Sequence, residues 1–176
     1  MGALVKTDKS VEQAKLGEIQ QFLTFSLGSE MFAVGTLSVK EIIEYGQLTE
    51  VPMMPNFIRG VINLRGAVVS VIDLGARFGR GETHVTRRTC IVIIEVPSGD
   101  EKQDIGVVVD AVSEVLEIPA SDIEPPPAFG AKIRTDFIHG MGKVDGKFVI
   151  LLDVGKVLSV EEISSLATIA AQGETQ

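Results

Sequence analysis

Few residues in this 176-residue chain carry the groups that catalysis needs: two histidines, His84 and His139, one cysteine, Cys90, and carboxylates scattered without a paired spacing. There is no phosphate-cradling glycine-rich loop, no serine elbow and no metal-spaced set of Cys and His. Cys90 opens an apolar run at 90–94 and reads as a small buried hydrophobe; as a lone cysteine it also excludes an intrachain disulfide. His139 reads as a solvated strand residue. No catalytic residue, metal or cofactor is expected. The residue that does ask for a chemical explanation is Arg65, within Ile62-Asn63-Leu64-Arg65-Gly66. A long side chain with five donors is not chosen for turn geometry, so it reads as an anchor for a neighbouring loop or a partner, with a solvated turn arginine as the alternative.

The comparison that isolates Arg65 is internal. Shifting the sequence by 80 pairs Phe57, Ile58, Gly60, Gly66, Val69, Asp73 and Gly75 with identical residues at 137, 138, 140, 146, 149, 153 and 155. Apolar pairs such as Leu64/Val144 and Val71/Leu151 fill the positions between them. The chain is therefore read as duplicated. Shared positions are scaffold, whereas divergent ones can carry function, and the sharpest divergence is Asn63-Leu64-Arg65 against Lys143-Val144-Asp145. Asp145-Gly146 is an ordinary tight-hairpin dipeptide. Asp73 and Asp153 each follow an apolar strand and precede a short helical stretch, which makes both helix N-caps rather than catalytic carboxylates.

The elements that would hold these residues are short strands: 22–27, 31–34, 39–45, 60–64 and 67–73, then 89–96, 105–110, 112–118, 140–144 and 147–153. A Gly28-Ser29 turn and a loop at 97–102 separate neighbours, and 39–44 is echoed by 112–117. Ten closely spaced strands predict an all-β protein, small barrels or a sandwich, with two five-stranded barrels as the natural reading. Residues 1–18 read as a loose leader, 19–158 as the folded domain with barrel halves near 19–80 and 88–158, and 159–176 as a C-terminal helix and tail. That helix starts at a Ser159/Glu162 capping box and shows an Ile163, Leu166, Ile169 stripe. The segment 123–129, with three consecutive prolines, is expected to be stiff and exposed.

Composition sets further limits. With 45% apolar and 23% charged residues the chain is globular, and a formal net charge of -8 without a basic run speaks against nucleic-acid binding. No apolar run is long enough to span a bilayer and no secretory or lipidation signal is present, so a soluble cytoplasmic protein is expected.

Val39-Lys40-Glu41-Ile42, then Pro55-Asn56-Phe57-Ile58-Arg59-Gly60-Val61-Ile62-Asn63-Leu64-Arg65-Gly66, then Val71-Ile72-Asp73-Leu74 resemble the CheW family from about residue 21 to residue 158. Gly106-Val107-Val108-Val109-Asp110-Ala111-Val112 and the proline segment follow in the family's order. The resemblance implies two SH3-like five-stranded barrels and a non-enzymatic adaptor between transmembrane chemoreceptors and the histidine kinase CheA. Neither a kinase nor a receiver segment accompanies the domain here, which favours the stand-alone adaptor.

By matched position, the resemblance implies that the receptor's cytoplasmic helical tip docks between the barrels on Val39, Glu41, Ile42, Gly60, Leu64, Arg65, Gly66, Cys90 and Val115. It likewise implies a contact with the CheA regulatory domain through Leu48, Arg59 and Val68 at one end, and Glu124 and Phe129 at the other, forming rings or arrays at the membrane without direct insertion. The same aliphatic residues could instead be core, since strand apolars face inward by default. Two other readings stand beside the chemotaxis adaptor: an adaptor of a different chemosensory system, and a double barrel that senses a small molecule.

Overall fold

Period-2 alternation builds the strands, and the two copies of the repeat use it identically. In the computed structural model, which describes residues 19–126 and 137–158, burial matches position by position from Gly60 to Ile72 and from Gly140 to Leu152. Ile62 faces Val69 across its hairpin, and Gly142 faces Val149, so each hairpin turns one side to a core. The strands are β1 (Ile19–Leu27), β2 (Glu30–Gly35), β3 (Val39–Glu44), β4 (Ile58–Leu64), β5 (Ala67–Asp73), β6 (Cys90–Ser98), β7 (Glu101–Val109), β8 (Ala111–Pro119), β9 (Ile123–Glu124), β10 (Ile138–Val144) and β11 (Lys147–Leu152). One-turn helices, α1 (Leu74–Arg77) and α2 (Val154–Val157), follow β5 and β11. Each begins at the expected aspartate: the Asp73 side chain accepts from the Ala76 N–H and that of Asp153 from the Lys156 N–H.

Strand pairing sorts these elements into two sheets, β8-β1-β2-β11-β10-β9 and β3-β6-β7-β5-β4. The barrels therefore do not follow the contiguous halves 19–80 and 88–158. The β1–β2 hairpin of the first copy joins the sheet of the second, and the β6–β7 hairpin of the second joins the sheet of the first. Each exchanged hairpin is stitched in by a parallel pairing, β2 with β11 and β7 with β5. The exchange is symmetric, so both copies give up the same piece and receive the same piece.

Three apolar cores result. One sheet coils around Ile62, Val69, Val71, Ile91, Ile93 and Val108. The other coils around Phe22, Ala33, Ile118, Val149 and Leu151. The largest core lies between the sheets and includes Phe25, Phe32, Phe57, Phe78, Ile94, Val107 and Phe137. Full burial of side chains of this size stabilises the fold by roughly 1.5–3 kcal/mol each. The exchanged hairpins supply much of this central core, which ties the barrels into one unit.

Three local expectations need correction. The predicted loop at 97–102 is mostly strand: Pro97 pairs with Lys102 and Ser98 with Glu101, leaving a turn at Gly99 and Asp100. Pro97 is tolerated because β3 pairs with β6 only up to Ile94, so its missing N–H faces no neighbouring strand. The described strands number eleven, because Ile123 and Glu124 pair with Gly142 and Met141 before the prolines begin. Arg65-Gly66 forms the same hairpin turn as Asp145-Gly146, with φ of +53° and +87° against +51° and +78°. The leader, the C-terminal helix with its stripe, and Phe129 lie outside the described residues.

Candidate functional site

Each sheet ends in a strand with one neighbour only, β3 in one and β8 in the other. The two strands are the echoed segments of the sequence, related by a shift of 73 that pairs Val39 with Val112 and Ile42 with Val115. Val39, Val112 and Cys90 are half-buried against the central core. Ile42 stands opposite Val92, and Val115 opposite Leu23, both residues of that core. Opposed residues share a face, so Ile42 and Val115 continue the inter-sheet core outward, where they are 42% and 51% exposed. Large aliphatics left this open, at matching positions of two edge strands, mark a surface built to be covered.

The rest of β3 divides by alternation. Ile43 packs inside its barrel alongside Leu64. Glu41 faces the barrel mouth, where its Oε2 accepts from Arg65 Nη2 at 2.7 Å. Arg65 occupies the left-handed region, which favours Gly, Asn or Asp. The second copy uses Asp there, and the first uses a residue that the backbone disfavours. Asn63 supports the turn by accepting from the Gly66 N–H at 2.8 Å. The Arg65 side chain is 75% exposed even while paired, so its outer donors face solvent. The pair thus ties the β4–β5 hairpin to β3 and presents a guanidinium beside an apolar edge. On the same strand, Lys40 is held above its ordinary pKa, mainly because it donates to Asp104 and lies close to that charge.

Gly60 is scaffold rather than surface. It sits at the β4 bulge with φ +148°, and an added Cβ would strike the Thr49 carbonyl, the group that accepts from the Val61 N–H. Gly140 plays the same part under Ile123 and Glu124.

The positions matched to a kinase contact do not converge. Arg59 is engaged internally: its Nε donates to Asp73 at 2.9 Å, its Nη2 to the Thr83 carbonyl, and its guanidinium lies over the Tyr45 ring. Asp73 is fully buried and also accepts from the Thr83 N–H at 2.7 Å and from its hydroxyl at 2.8 Å. Leu48 packs half-buried on its barrel core. Val68 is 78% exposed at the start of β5, whereas Glu124 lies exposed on β9 in the other sheet. The repeat mate of Val68 is Phe148, itself 51% exposed. Sequence reasoning passed over Phe148, although the shift of 80 pairs it with Val68 directly.

Among the described residues no group of three His, Cys, Asp or Glu side chains converges on a metal position. None of the described helices is long and apolar enough to cross a membrane. What the two edge strands present is exposed Ile42 and Val115, with the Arg65–Glu41 pair on the β3 side.

Comparisons with known proteins agree with this geometry. The model of the CheW-like domain matches residues 21–162. The chain is 36% identical over 151 residues to the chemotaxis protein CheW of Klebsiella aerogenes, covering 86% of this chain and 89% of the relative. It is 32% identical over 143 residues to the CheW of Rhizobium meliloti, covering 81% and 90%. The crystal structure of the scaffolding protein TtCheW from Thermoanaerobacter tengcongensis superposes with a TM-score of 0.71 at 36% identity, covering 78% of this chain and 86% of that one.

Proposed function

The chain belongs to the CheW-like domain family, and from that membership we propose that it is a non-enzymatic adaptor of bacterial chemotaxis, coupling the cytoplasmic tips of chemoreceptors to the regulatory domain of the histidine kinase CheA. The observation that carries the docking site is the pair of exposed aliphatics, Ile42 and Val115, at matching positions of two edge strands that flank one central core. An amphipathic helix laid along that face would bury its apolar stripe against Ile42, Val115, Val39 and Cys90. Arg65 and Glu41 then supply the polar rim that sets orientation, while Leu64, Gly60 and Gly66 hold the hairpin that carries Arg65.

The kinase contact is assigned to the exposed ends of the barrels, with Val68 at one end and Glu124 at the other; Phe129 joins the contact of Glu124 by matched position alone. Leu48 and Arg59 act there from behind, by fixing the barrel wall. Two different ends allow each adaptor to meet two kinase domains, the condition for ring or array assembly. Multivalency then raises the avidity of individually weak contacts. Recruitment to the membrane follows from the receptors themselves.

The test is a binding measurement on the full chain with a receptor cytoplasmic hairpin and with a CheA regulatory domain. Truncating a central anchor costs on the order of 2 kcal/mol, about 30-fold in affinity. Ile42→Glu or Val115→Glu should reach that loss for the receptor hairpin while leaving the melting temperature and kinase-domain binding unchanged. Receptor binding within twofold of wild type in both variants would refute this docking face.

A further inference from the structure

A second cleft, of about 850 Å³, lies between the β1–β2 turn, the β7–β8 junction and the segment that follows α1. That segment is fixed with unusual thoroughness. Buried Asp73 accepts from both the N–H and the hydroxyl of Thr83, Arg59 donates to the Thr83 carbonyl, and the Arg80 N–H donates to the Gly75 carbonyl at 2.8 Å. Further along, the Thr86 N–H donates to the Thr89 hydroxyl, and the Arg88 N–H to the Thr86 hydroxyl. The second copy has His139 in place of Arg59 and Ile163 in place of Thr83. The Arg59 and Thr83 anchors are thus a divergence between the copies, the kind of position that carries function.

What the segment presents is positive charge. Arg59, Arg65 and Arg80 are ion-paired to Asp73, Glu41 and Glu30, and Arg77 lies over the rings of Phe57 and Phe137. Arg87 and Arg88 line the cleft, are exposed, and meet no carboxylate among the described residues. Two adjacent unpaired arginines on a chain of net charge -8 keep a local attraction for anions against the field of the whole protein. The cleft also holds Glu82 and Asp110, which disfavours a small free polyanion and suits a peptide bearing both carboxylates and N–H groups. Its arginines lead directly into Thr89 and Cys90, and the Thr89 carbonyl accepts from the Tyr45 N–H at the end of β3. Arg88 thus stands two residues from Cys90, which packs at the docking face.

The geometry points to an acidic-peptide subsite here: a carboxylate-bearing stretch of the chemoreceptor, beyond the part that covers Ile42 and Val115, pairs with Arg87 and Arg88. This rests on the receptor-adaptor reading above. It adds specificity and a salt-dependent association rate to a contact otherwise held by apolar anchors.

The experiment titrates the receptor cytoplasmic hairpin and the CheA regulatory domain into the full chain, wild type beside R87E/R88E and R87Q/R88Q, at low and high salt. The expected result is roughly tenfold weaker receptor binding for the double Glu variant and an intermediate loss for the double Gln variant. Both should show a flattened salt dependence, with melting temperature and kinase-domain binding unchanged. Receptor binding and salt dependence equal to wild type would overturn the subsite and leave the adaptor reading intact. A loss confined to the kinase domain would overturn the assignment to the receptor. If the wild type bound neither partner, the adaptor reading would fail and the subsite with it.

Discussion

Replacing Arg65 by Asn separates what this residue does for the fold from what it does for binding. Arg65 pays a backbone penalty: in the left-handed region at φ +53° a non-glycine residue costs about 1 kcal/mol, most of which Asn recovers by tolerating that conformation. Against this stands the loss of the 2.7 Å pair with Glu41, whose partners are 75% and 25% exposed. An ion pair that open contributes roughly 0.2–1 kcal/mol and is screened by salt. The two terms nearly cancel, with the balance toward stabilisation. Arg65→Asn should therefore melt between the wild-type temperature and about 4 °C above it, since 1 kcal/mol shifts a domain of this size by roughly 2–4 °C. Calorimetry with a receptor hairpin should meanwhile show binding at least several-fold weaker. The converse change, Asp145→Arg, should destabilise by up to about 1 kcal/mol, because it adds the penalty in a copy where Glu114, the counterpart of Glu41, is exposed and an open ion pair returns little. A melting temperature lowered by more than about 4 °C in Arg65→Asn would refute the reasoning and make Arg65 a structural tether.

Two further substitutions test the division between scaffold and surface. Asp73→Ala strands the Arg59 guanidinium and the Thr83 donors in a buried site and should cost about 3–5 kcal/mol in urea unfolding. Asp153→Ala removes a helix cap, its side-chain contact among the described residues, and should cost about 1 kcal/mol; equal losses in the two would contradict the asymmetry of the copies. Gly60→Ala places a Cβ against the Thr49 carbonyl group, whose carbon would be 2.9 Å away, and should destabilise by more than about 2 kcal/mol. Gly66→Ala meets open space and bears only the strain of its positive φ, about 1 kcal/mol. Chemical denaturation of the pair decides whether Gly60 belongs to the core or to the docking surface.

The sequence by itself determined the strands, the duplication and the two aspartate caps. Each rests on local physics: alternation sets which side of a strand is buried, a turn dipeptide closes a hairpin, and a cap satisfies N–H groups three residues on. It also singled out Arg65, through the mismatch with Asp145, and paired Ile42 with Val115 through the echo of 39–44 in 112–117. Resemblance then supplied the family and the docking roles, which periodicity alone cannot name.

Only the tertiary structure decided which strands lie side by side. Alternation states which face a strand buries and is silent on which neighbour receives its hydrogen bonds, so contiguous halves and exchanged hairpins have the same sequence pattern. The exchange depends on the parallel pairings β2 with β11 and β5 with β7, formed between residues far apart in the chain. The same limit hid the engagement of Arg59. Its surface role was inferred from a matched position, but its partner Asp73 comes within 2.9 Å only when β4 and β5 pair and the segment after α1 folds back over them. Likewise, only the fold sets Arg87 and Arg88 on a cleft with no carboxylate partner among the described residues.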